Sequence, residues 1–345
     1  MYRTPKKRNK LKTLIASVVF FILCFYIGYQ ERYTNCVEPS LHILDSYDGY
    51  SLTDRNTLGK EKYLLWSSPN ILWNAAITRK KYQLVLTTTI GDSKTIGPDV
   101  LNVLQMFSGY QQQYSFRVVI YSRSPAVLSF CRDHNITVIT SYLVNSYGVP
   151  FVRYFLVQTK LLIAGHYYGY INSDILVSSK LFDLLIQCDN LIRQQVLPSK
   201  VAIGSRVFEI PLELVPSTLL NTSYVTVDMV NKVVELIVQN PKAVLRHQHS
   251  SDYFIYSESV DLTKITDIVI GRMRVDNGLL QYVRYQHGSL VDATNFVPAA
   301  HLGVCGFRCK MTSSKIPYLD KYWNIFYTQY FVWFRGTLRH PDYRF

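Results

Sequence analysis

Polar side chains interrupt the apolar runs of this sequence at a few points, and the sharpest interruption carries a carboxylate. Asn172, Ser173 and Asp174 follow an apolar run and precede Ile175 and Leu176. A buried carboxylate is costly unless it meets a cation, so we expect Asp174 to lie at the carboxyl end of a strand and to bind one. Mn²⁺ and Mg²⁺ take such oxygen ligands. The alternative is an aspartate that caps the next turn.

The elements that must position this triplet alternate along the chain. Apolar patterns predict strands at 82–89, 116–121, 136–140 and 168–176, and helices at 97–109, 126–134 and 152–165. Gly109 is expected to end the first helix. Such alternation predicts an α/β domain with a mostly parallel sheet and helices on both faces. Ligands of these sheets bind beyond the carboxyl ends of the strands.

Composition excludes several classes of protein. The 345 residues are 48% hydrophobic and 18% charged, which excludes disorder. The net charge is +13, but six of the positive residues lie in the first twelve, and no basic stripe with interleaved aromatics appears elsewhere. We therefore expect no nucleic-acid partner. Sequence motifs of hydrolase elbows, phosphate loops and dinucleotide-binding turns are also absent.

The N-terminal region predicts a membrane anchor. Residues 1–12 are basic, and residues 13–30 form an uncharged apolar segment just long enough to span a bilayer. The positive-inside bias predicts a cytosolic tail and a type II protein with a lumenal body. The short span favours the thinner membranes of the early secretory pathway, in the Golgi or endoplasmic reticulum. Residues 31–80 would be a stem and entry segment. A cleaved signal peptide, and hence a secreted protein, is the alternative, although no clear cleavage site follows the segment.

The cysteines and two sequons are compatible with a lumenal body. Cys131, Cys188, Cys305 and Cys309 could pair in three ways, among which the sequence does not choose. Cys36 could link two chains into a disulfide dimer. Asn135 and Asn221 begin glycosylation acceptor patterns.

An ordered set of short motifs resembles a poorly characterised group of nucleotide-sugar glycosyltransferases of the GT-A fold. The motifs are VLTTT at 85–89, GYINSDIL at 169–176, IGSR at 203–206, DYFIY at 252–256, IGR at 270–272, DN at 276–277, VDAT at 291–294 and His301. The resemblance implies a Rossmann-like GT-A domain over 81–310, preceded by the one transmembrane helix. The aromatic and basic segment 311–345 is expected to pack on this domain.

The resemblance also implies roles for single residues. Asn172 and Asp174 match the aspartate-x-aspartate position that holds a divalent ion against the donor diphosphate, with the first acid replaced, and His301 matches the histidine that completes the metal shell. Asp276 matches the catalytic base of inverting members, with Asp252 behind it and then Asp292. Thr87, Arg206 and Arg272 are expected to complete the donor site.

The enzyme predicted in this way transfers a sugar from a nucleotide donor to a glycan, protein or lipid acceptor. The replacement of the first acid by Asn172 keeps a second hypothesis open, a lumenal binding or scaffold protein without activity. Other interpretations of single residues are also open. Arg206 and Arg272 could be ordinary ion-pair partners, Asp252 could bound a strand, and Asp292 could cap a turn. A zinc site formed by His301, Cys305 and Cys309 would need a helix that Gly303 and Gly306 disfavour.

Overall fold

The computed structural model of the protein describes residues 42–43, 80–210, 225–302, 316–327 and 335–345. Within these ranges no helix has both the length and the apolar character needed to cross a membrane. The predicted membrane segment 13–30 and Cys36 lie outside them.

The described strands and helices alternate over much of the chain. The strands are β1 (His42–Ile43), β2 (Tyr82–Thr89), β3 (Phe116–Tyr121), β4 (Thr137–Ile139), β5 (Leu143–Val144), β6 (Gly165–Ile171), β7 (Ile175–Val177), β8 (Val201–Gly204), β9 (Phe208–Glu209), β10 (Val244–Leu245), β11 (Tyr253–Ser257), β12 (Ser289–Asp292), β13 (Ala299–His301) and β14 (Tyr343–Arg344). The α-helices are α1 (Pro98–Gln113), α2 (Pro125–Asp133), α3 (Val152–Leu162), α4 (Lys180–Arg193), α5 (Val227–Val238), α6 (Val275–Tyr285), α7 (Tyr318–Lys321) and α8 (Trp323–Tyr327), with a 3-10 turn at Leu262–Lys264.

An eight-stranded sheet forms the centre, in the order β14-β12-β8-β11-β6-β2-β3-β4. All neighbouring pairs are parallel except those of β11, which runs antiparallel to β6 and β8. The predicted mostly parallel sheet is confirmed. The antiparallel strand has a consequence for the site, because β11 begins where its two neighbours end.

Helices cover both faces of this sheet, as alternation of the side chains on β2 requires. Leu84 and Leu86 pack in one apolar cluster with α1, α2, α4 and α5. Val85 lies in the other cluster, with α3 and α6.

The first helix is longer than predicted. α1 continues through Gly109 to Gln113. A Cβ atom on Gly109 would lie 2.8 Å from the carbonyl oxygen of Val225. This glycine therefore permits a close approach of two backbones, and the prediction that it ends the helix was wrong.

The predicted strand at 168–176 is two strands that belong to different sheets. β6 ends at Ile171 in the central sheet, and β7 begins at Ile175 in a second, four-stranded sheet of order β10-β9-β13-β7. The polar triplet 172–174 is the connection between them. The chain leaves the central sheet there because the triplet cannot continue a strand that is buried on both faces.

The end of the chain extends the central sheet. β14 pairs in parallel with β12, with Val291 opposite Tyr343. Just before it, the side-chain amide of Asn277 in α6 donates a hydrogen bond to the carbonyl of Gly336 at 3.0 Å. The segment 335–345 is thus attached to both the sheet edge and α6.

Candidate active site

Asp174 and His301 come together at the junction of the two sheets. His301 is the last residue of β13, and its register partner on β7 is Ile175, the residue after Asp174. The backbone amide of Leu302 donates to the carbonyl of Asp174 at 2.7 Å. These backbone contacts bring the Nε2 atom of His301 to 3.2 Å from Oδ2 of Asp174. The sequence motifs that contain them are more than a hundred residues apart.

Asp252 lies next to the same triplet because β11 is antiparallel. Tyr253 pairs with Ile171, so the residue before Tyr253 faces the residue after Ile171. The backbone amide of Asn172 donates to the carbonyl of Asp252 at 3.0 Å, and the side-chain amide of Asn172 donates to Oδ1 of Asp252 at 3.1 Å. The resembled family carries an acid at the position of Asn172. In this chain the side chain at that position instead donates a hydrogen bond to Asp252.

Arg246 neutralises this buried aspartate. Its Nη1 atom donates to both carboxylate oxygens of Asp252, at 2.6 and 2.7 Å. Its Nε atom donates to Oε1 of Glu209 at 2.7 Å, and Glu209 is the register partner of His301 in the small sheet. Burial raises the pKa of Asp252, and the charges of Arg246 and His301 oppose this shift.

Asp276 is the third acid of the cluster and comes from the first turn of α6. Its Oδ2 atom accepts a hydrogen bond from the backbone amide of Ser251 at 3.2 Å, so it lies beside the residue that precedes Asp252. Burial, and then the charge of Asp252, raise the pKa of Asp276 to about 8. At neutral pH most molecules therefore hold a proton on this carboxyl group.

The ligands that a divalent ion would need are partly present. Two ligands at right angles on an octahedral Mg²⁺, each about 2.1 Å from it, lie about 3.0 Å apart. The separation of 3.2 Å between Asp174 and His301 fits this arrangement. Both oxygens of Asp252 accept hydrogen bonds from Arg246. No group of three or more His, Cys, Asp or Glu side chains that could hold a metal ion occurs in the described part of the chain.

The three other residues expected at the donor site have different surroundings. Thr87 is fully buried, and its hydroxyl donates to the carbonyl of Gly169 at 3.0 Å, where it joins β2 to β6. Arg272 forms a two-pronged ion pair with Asp320 of α7, at 2.6 and 2.7 Å. Arg206 follows β8 at the carboxyl edge of the sheet, and its buried Nε atom has no hydrogen-bond partner among the described residues.

Two other sequence-based interpretations can be compared with the structure. Asp292 ends β12, and its Oδ1 atom accepts hydrogen bonds from the backbone amide and the hydroxyl of Thr294, which is the turn cap considered above. His301 lies in a strand, so it does not belong to the helix that the zinc hypothesis needs. Cys305 and Cys309 lie outside the described residues. Cys131 and Cys188 are buried, and neither forms a disulfide with another residue in the described part of the chain.

The structure thus brings Asn172, Asp174, Asp252, Asp276 and His301 into one cluster. Sequence reasoning missed Arg246 and Glu209, which hold the cluster together. The signal for Arg246 was weak. It begins the run Arg-His-Gln-His six residues before Asp252, and nothing in that spacing predicts an ion pair. Glu209 lies in a two-residue strand that the apolar pattern does not reveal.

No family model matches the chain, and no curated protein matches it. Among solved structures, a crystal structure of Staphylococcus aureus TarS 1–349 in complex with UDP-GlcNAc is similar, with 17% identity over 41% of this chain and 38% of that chain and a TM-score of 0.26. A second structure of TarS 1–349 has 15% identity over 48% and 47% of the two chains, with a TM-score of 0.24. The aligned part spans less than half of each TarS 1–349 chain.

Proposed function

We propose that this chain is a glycosyltransferase that moves a sugar from a nucleoside diphosphate to a hydroxyl group of a glycan, protein or lipid. The observation that carries this proposal is the cluster of Asp174, Asp252, Asp276 and His301 at the carboxyl edge of a mostly parallel sheet. Ligands of such sheets bind at this edge. Asp252 and Asp276 both have raised pKa values, and such groups close together are typical of functional sites.

Asp276 is the proposed general base. In the reaction, the bond from the anomeric carbon to the phosphate oxygen breaks, and the nucleoside diphosphate leaves with the electron pair. The acceptor oxygen forms the new bond to carbon and gives its proton to the carboxylate of Asp276. With a pKa of about 8, Asp276 is ionised in a minority of molecules at neutral pH, so the turnover that it supports should rise as the pH increases toward 8. A direct displacement of this kind inverts the anomeric centre.

Asp174 and His301 are the residues that would hold a Mn²⁺ or Mg²⁺ ion, since their separation fits two ligands of one ion. Phosphate oxygens of the donor and water would complete its shell. When bound, such an ion supplies positive charge that stabilises the departing diphosphate. Arg206, at the same edge, is the proposed cationic side chain for the phosphates.

A donor-binding protein without catalytic activity is the second candidate function. Asn172 favours this candidate, because its side-chain amide donates a hydrogen bond to Asp252. The resembled family has a metal-binding acid at this position. Attachment to a membrane of the Golgi or endoplasmic reticulum and a lumenal body belong to both proposals.

Donor binding and turnover distinguish the two functions. The full-length chain would be titrated with UDP, GDP and CMP and their sugars, with Mn²⁺ or with a chelator, and its melting temperature recorded. Ligand at 100 times its dissociation constant adds about 2.7 kcal/mol to the stability. Release of nucleotide from the sugar donor would then be measured for the wild type, Asp174→Asn and Asp276→Asn.

We expect metal-dependent stabilisation that Asp174→Asn abolishes, and turnover that Asp276→Asn abolishes while it leaves donor binding intact. Asp228→Asn is the matched control, because Asp228 lies exposed in the first turn of α5. Binding without turnover in any variant would favour the inactive protein, and no binding of any nucleotide would overturn both.

A further inference from the structure

The loop between β10 and β11 carries contacts to two of the acids at its two ends. Arg246 at its start binds Asp252, and Ser251 at its end donates its backbone amide to Asp276. The loop is folded back on itself, since the backbone amide of Ser250 donates to the carbonyl of His247 at 2.9 Å. The residues between these two ends, 247–250, are therefore held close to the proposed base, Asp276.

Two exposed histidines occupy the middle of this loop. The rings of His247 and His249 are stacked, with centroids 4.7 Å apart and planes inclined by 12°. The backbone amide of His249 donates to Nδ1 of His247 at 3.4 Å. Since Nδ1 accepts, the proton of the neutral ring of His247 is on Nε2, and that atom can donate to a ligand.

Two arginines from separate segments join the histidines. Arg274 precedes Asp276 by two residues at the start of α6, and its backbone is in the left-handed region with φ of 70°. Arg339 is held near the loop because the backbone amide of Leu338 donates to the carbonyl of Gln248 at 3.0 Å. Both side chains are exposed. Burial, together with the charges of His247, Arg274 and Arg339, lowers the pKa of His249.

This group adjoins Asp276, because Ser251 at the end of the loop donates to Asp276 and Arg274 lies two residues before it. The charges of His301 and Asp174 contribute to the pKa of Asp252, and the charges of Asp252 and Arg246 contribute to the pKa of Asp276. The loop contacts Asp252 through Arg246 and Asp276 through Ser251, so its two histidines lie near the proposed base. The acceptor must lie beside the base, opposite the leaving diphosphate, if the sugar is inverted.

We propose that His247, His249, Arg274 and Arg339 form an acceptor subsite that binds a negatively charged group, a phosphate, sulfate or carboxylate on the acceptor sugar. This inference rests on the proposed glycosyltransferase function. Arginine provides paired N–H donors that match such oxyanions. The four side chains come from three segments that the fold brings together, and the subsite adjoins the base that would take the proton of the acceptor hydroxyl.

The subsite gains charge as the pH falls. His249 is neutral at pH 7 because its pKa lies below the ordinary value of about 6.5. A bound anion favours the protonated ring, so the anion binds more tightly at pH 5.5 than at pH 7.5. Among the described residues, the titratable or charged groups that act on His249 are His247, Arg274 and Arg339. Arg246 begins the same loop, and Asp276 is bound at its end.

The test compares sugars that differ only in charge. Binding of glucose, glucose 6-phosphate and glucuronate to the full-length chain would be measured by saturation-transfer NMR and calorimetry at pH 5.5 and 7.5. We expect the charged sugars to bind at least about tenfold more tightly than glucose, which corresponds to about 1.4 kcal/mol. Arg339→Gln and His249→Gln would each reduce this preference. The preference for glucuronate, whose carboxylate is ionised at both pH values, would be larger at pH 5.5.

Two matched variants control for nonspecific effects of charge. His166→Gln removes an exposed histidine at the amino end of β6, the opposite edge of the sheet, and Arg335→Gln removes an exposed arginine four residues before Arg339. Both should keep the wild-type preference. Equal binding of glucose and the charged sugars, or a preference that Arg339→Gln and His249→Gln leave unchanged, would overturn the subsite.

Competition with UDP shows whether the anion that these four residues bind belongs to the acceptor or to the donor. If UDP displaces glucose 6-phosphate, and Arg339→Gln weakens UDP as much as it weakens the sugar phosphate, the four residues bind the donor diphosphate and the proposal is wrong. If UDP binds in a manner that depends on Asp174 and no charge preference exists, the subsite fails while the proposed function stands. If the preference exists without any nucleotide binding, the anion site stands and the glycosyltransferase does not.

Discussion

Arg246 donates from a single nitrogen, Nη1, to both carboxylate oxygens of Asp252, at distances of 2.6 and 2.7 Å. The Asp252 side chain is 7% exposed and that of Arg246 is 11% exposed. An acid so deeply buried is stable in its charged form only beside a cation. Arg246 also reaches Glu209 in the small sheet. One guanidinium thus joins the two sheets at the place where the candidate site is formed.

Loss of this guanidinium should be strongly destabilising. Arg246→Met leaves the charge of Asp252 buried without its counter-ion, and we expect the free energy of unfolding to fall by about 3–5 kcal/mol. In an Asp252→Asn background the same substitution should cost clearly less, because no carboxylate is then left behind. Urea denaturation of the four chains would measure this coupling.

Arg284→Met is the control for that experiment. Arg284 pairs with Asp342 at 2.9 Å, but the carboxylate of Asp342 is 41% exposed. Water can solvate it when the arginine is removed, so the cost should be smaller. Equal costs for the two arginine variants would argue against a special role of the Arg246–Asp252 pair.

Asp276 should lower the stability of the protein as the pH rises. Its pKa is about 8 in the folded chain, against about 3.9 in an unfolded one. Between these two values the folded state binds more protons, so stability decreases from about pH 4 upward and reaches its lower limit above pH 8. Asp276→Asn cannot ionise and can still accept the hydrogen bond from Ser251.

We therefore expect Asp276→Asn to melt at a higher temperature than the wild type at pH 9, by about 3–6 °C, and within about 1 °C of it at pH 4. Melting curves at pH 4, 7 and 9 would give the trend. The exposed control Asp228→Asn should differ from the wild type by the same small amount at each pH. A shift of Asp276→Asn that does not change with pH would mean that this carboxyl group is not protonated at neutral pH.

Local patterns predicted the central elements well. β2 and β3 have the predicted bounds, because their β-branched and apolar runs are continuous and end in polar residues. Direction is not encoded in such patterns, so the antiparallel β11 could not be anticipated. The two-residue strands of the small sheet, such as β9, are too short to leave a pattern at all.

The candidate site was predictable only in part. Asp174, Asp252, Asp276 and His301 were found through the ordered motifs, and the structure brings them together. Arg246 could not be found, because its role depends on a contact between β10 and the start of β11 that exists only in the folded chain. Arg272 was predicted from the motifs to bind the donor, and the structure pairs it with Asp320 in α7. The motifs do not include Asp320, so this ion pair could not be predicted from them.

The buried thiols offer a test of how the cysteines are used. Burial raises the pKa of Cys131 to about 12 and that of Cys188 to about 12. The thiolate is the reactive form, so both cysteines should react with iodoacetamide at pH 8 only when the protein is unfolded. Mass spectrometry of alkylated peptides, with and without urea, would measure this. Alkylation of either residue in the folded protein within minutes would contradict the burial of these thiols.

Gly336 should be essential for attaching the C-terminal segment to α6. A Cβ atom there would clash with the backbone carbonyl oxygen of Asn277, which leaves no room for any side chain. Gly336→Ala would push the segment away and break the hydrogen bond from Asn277 to the carbonyl of Gly336. We expect a cost of about 3 kcal/mol, as for other overpacked sites. Hydrogen exchange in β14 should accelerate, because the same segment carries that strand.

Gly91→Ala is the control, since a Cβ atom on Gly91 would meet nothing within 4 Å. Its stability should stay within about 0.5 kcal/mol of the wild type. Unchanged exchange in β14 of Gly336→Ala would show that this contact does not hold the segment on the domain.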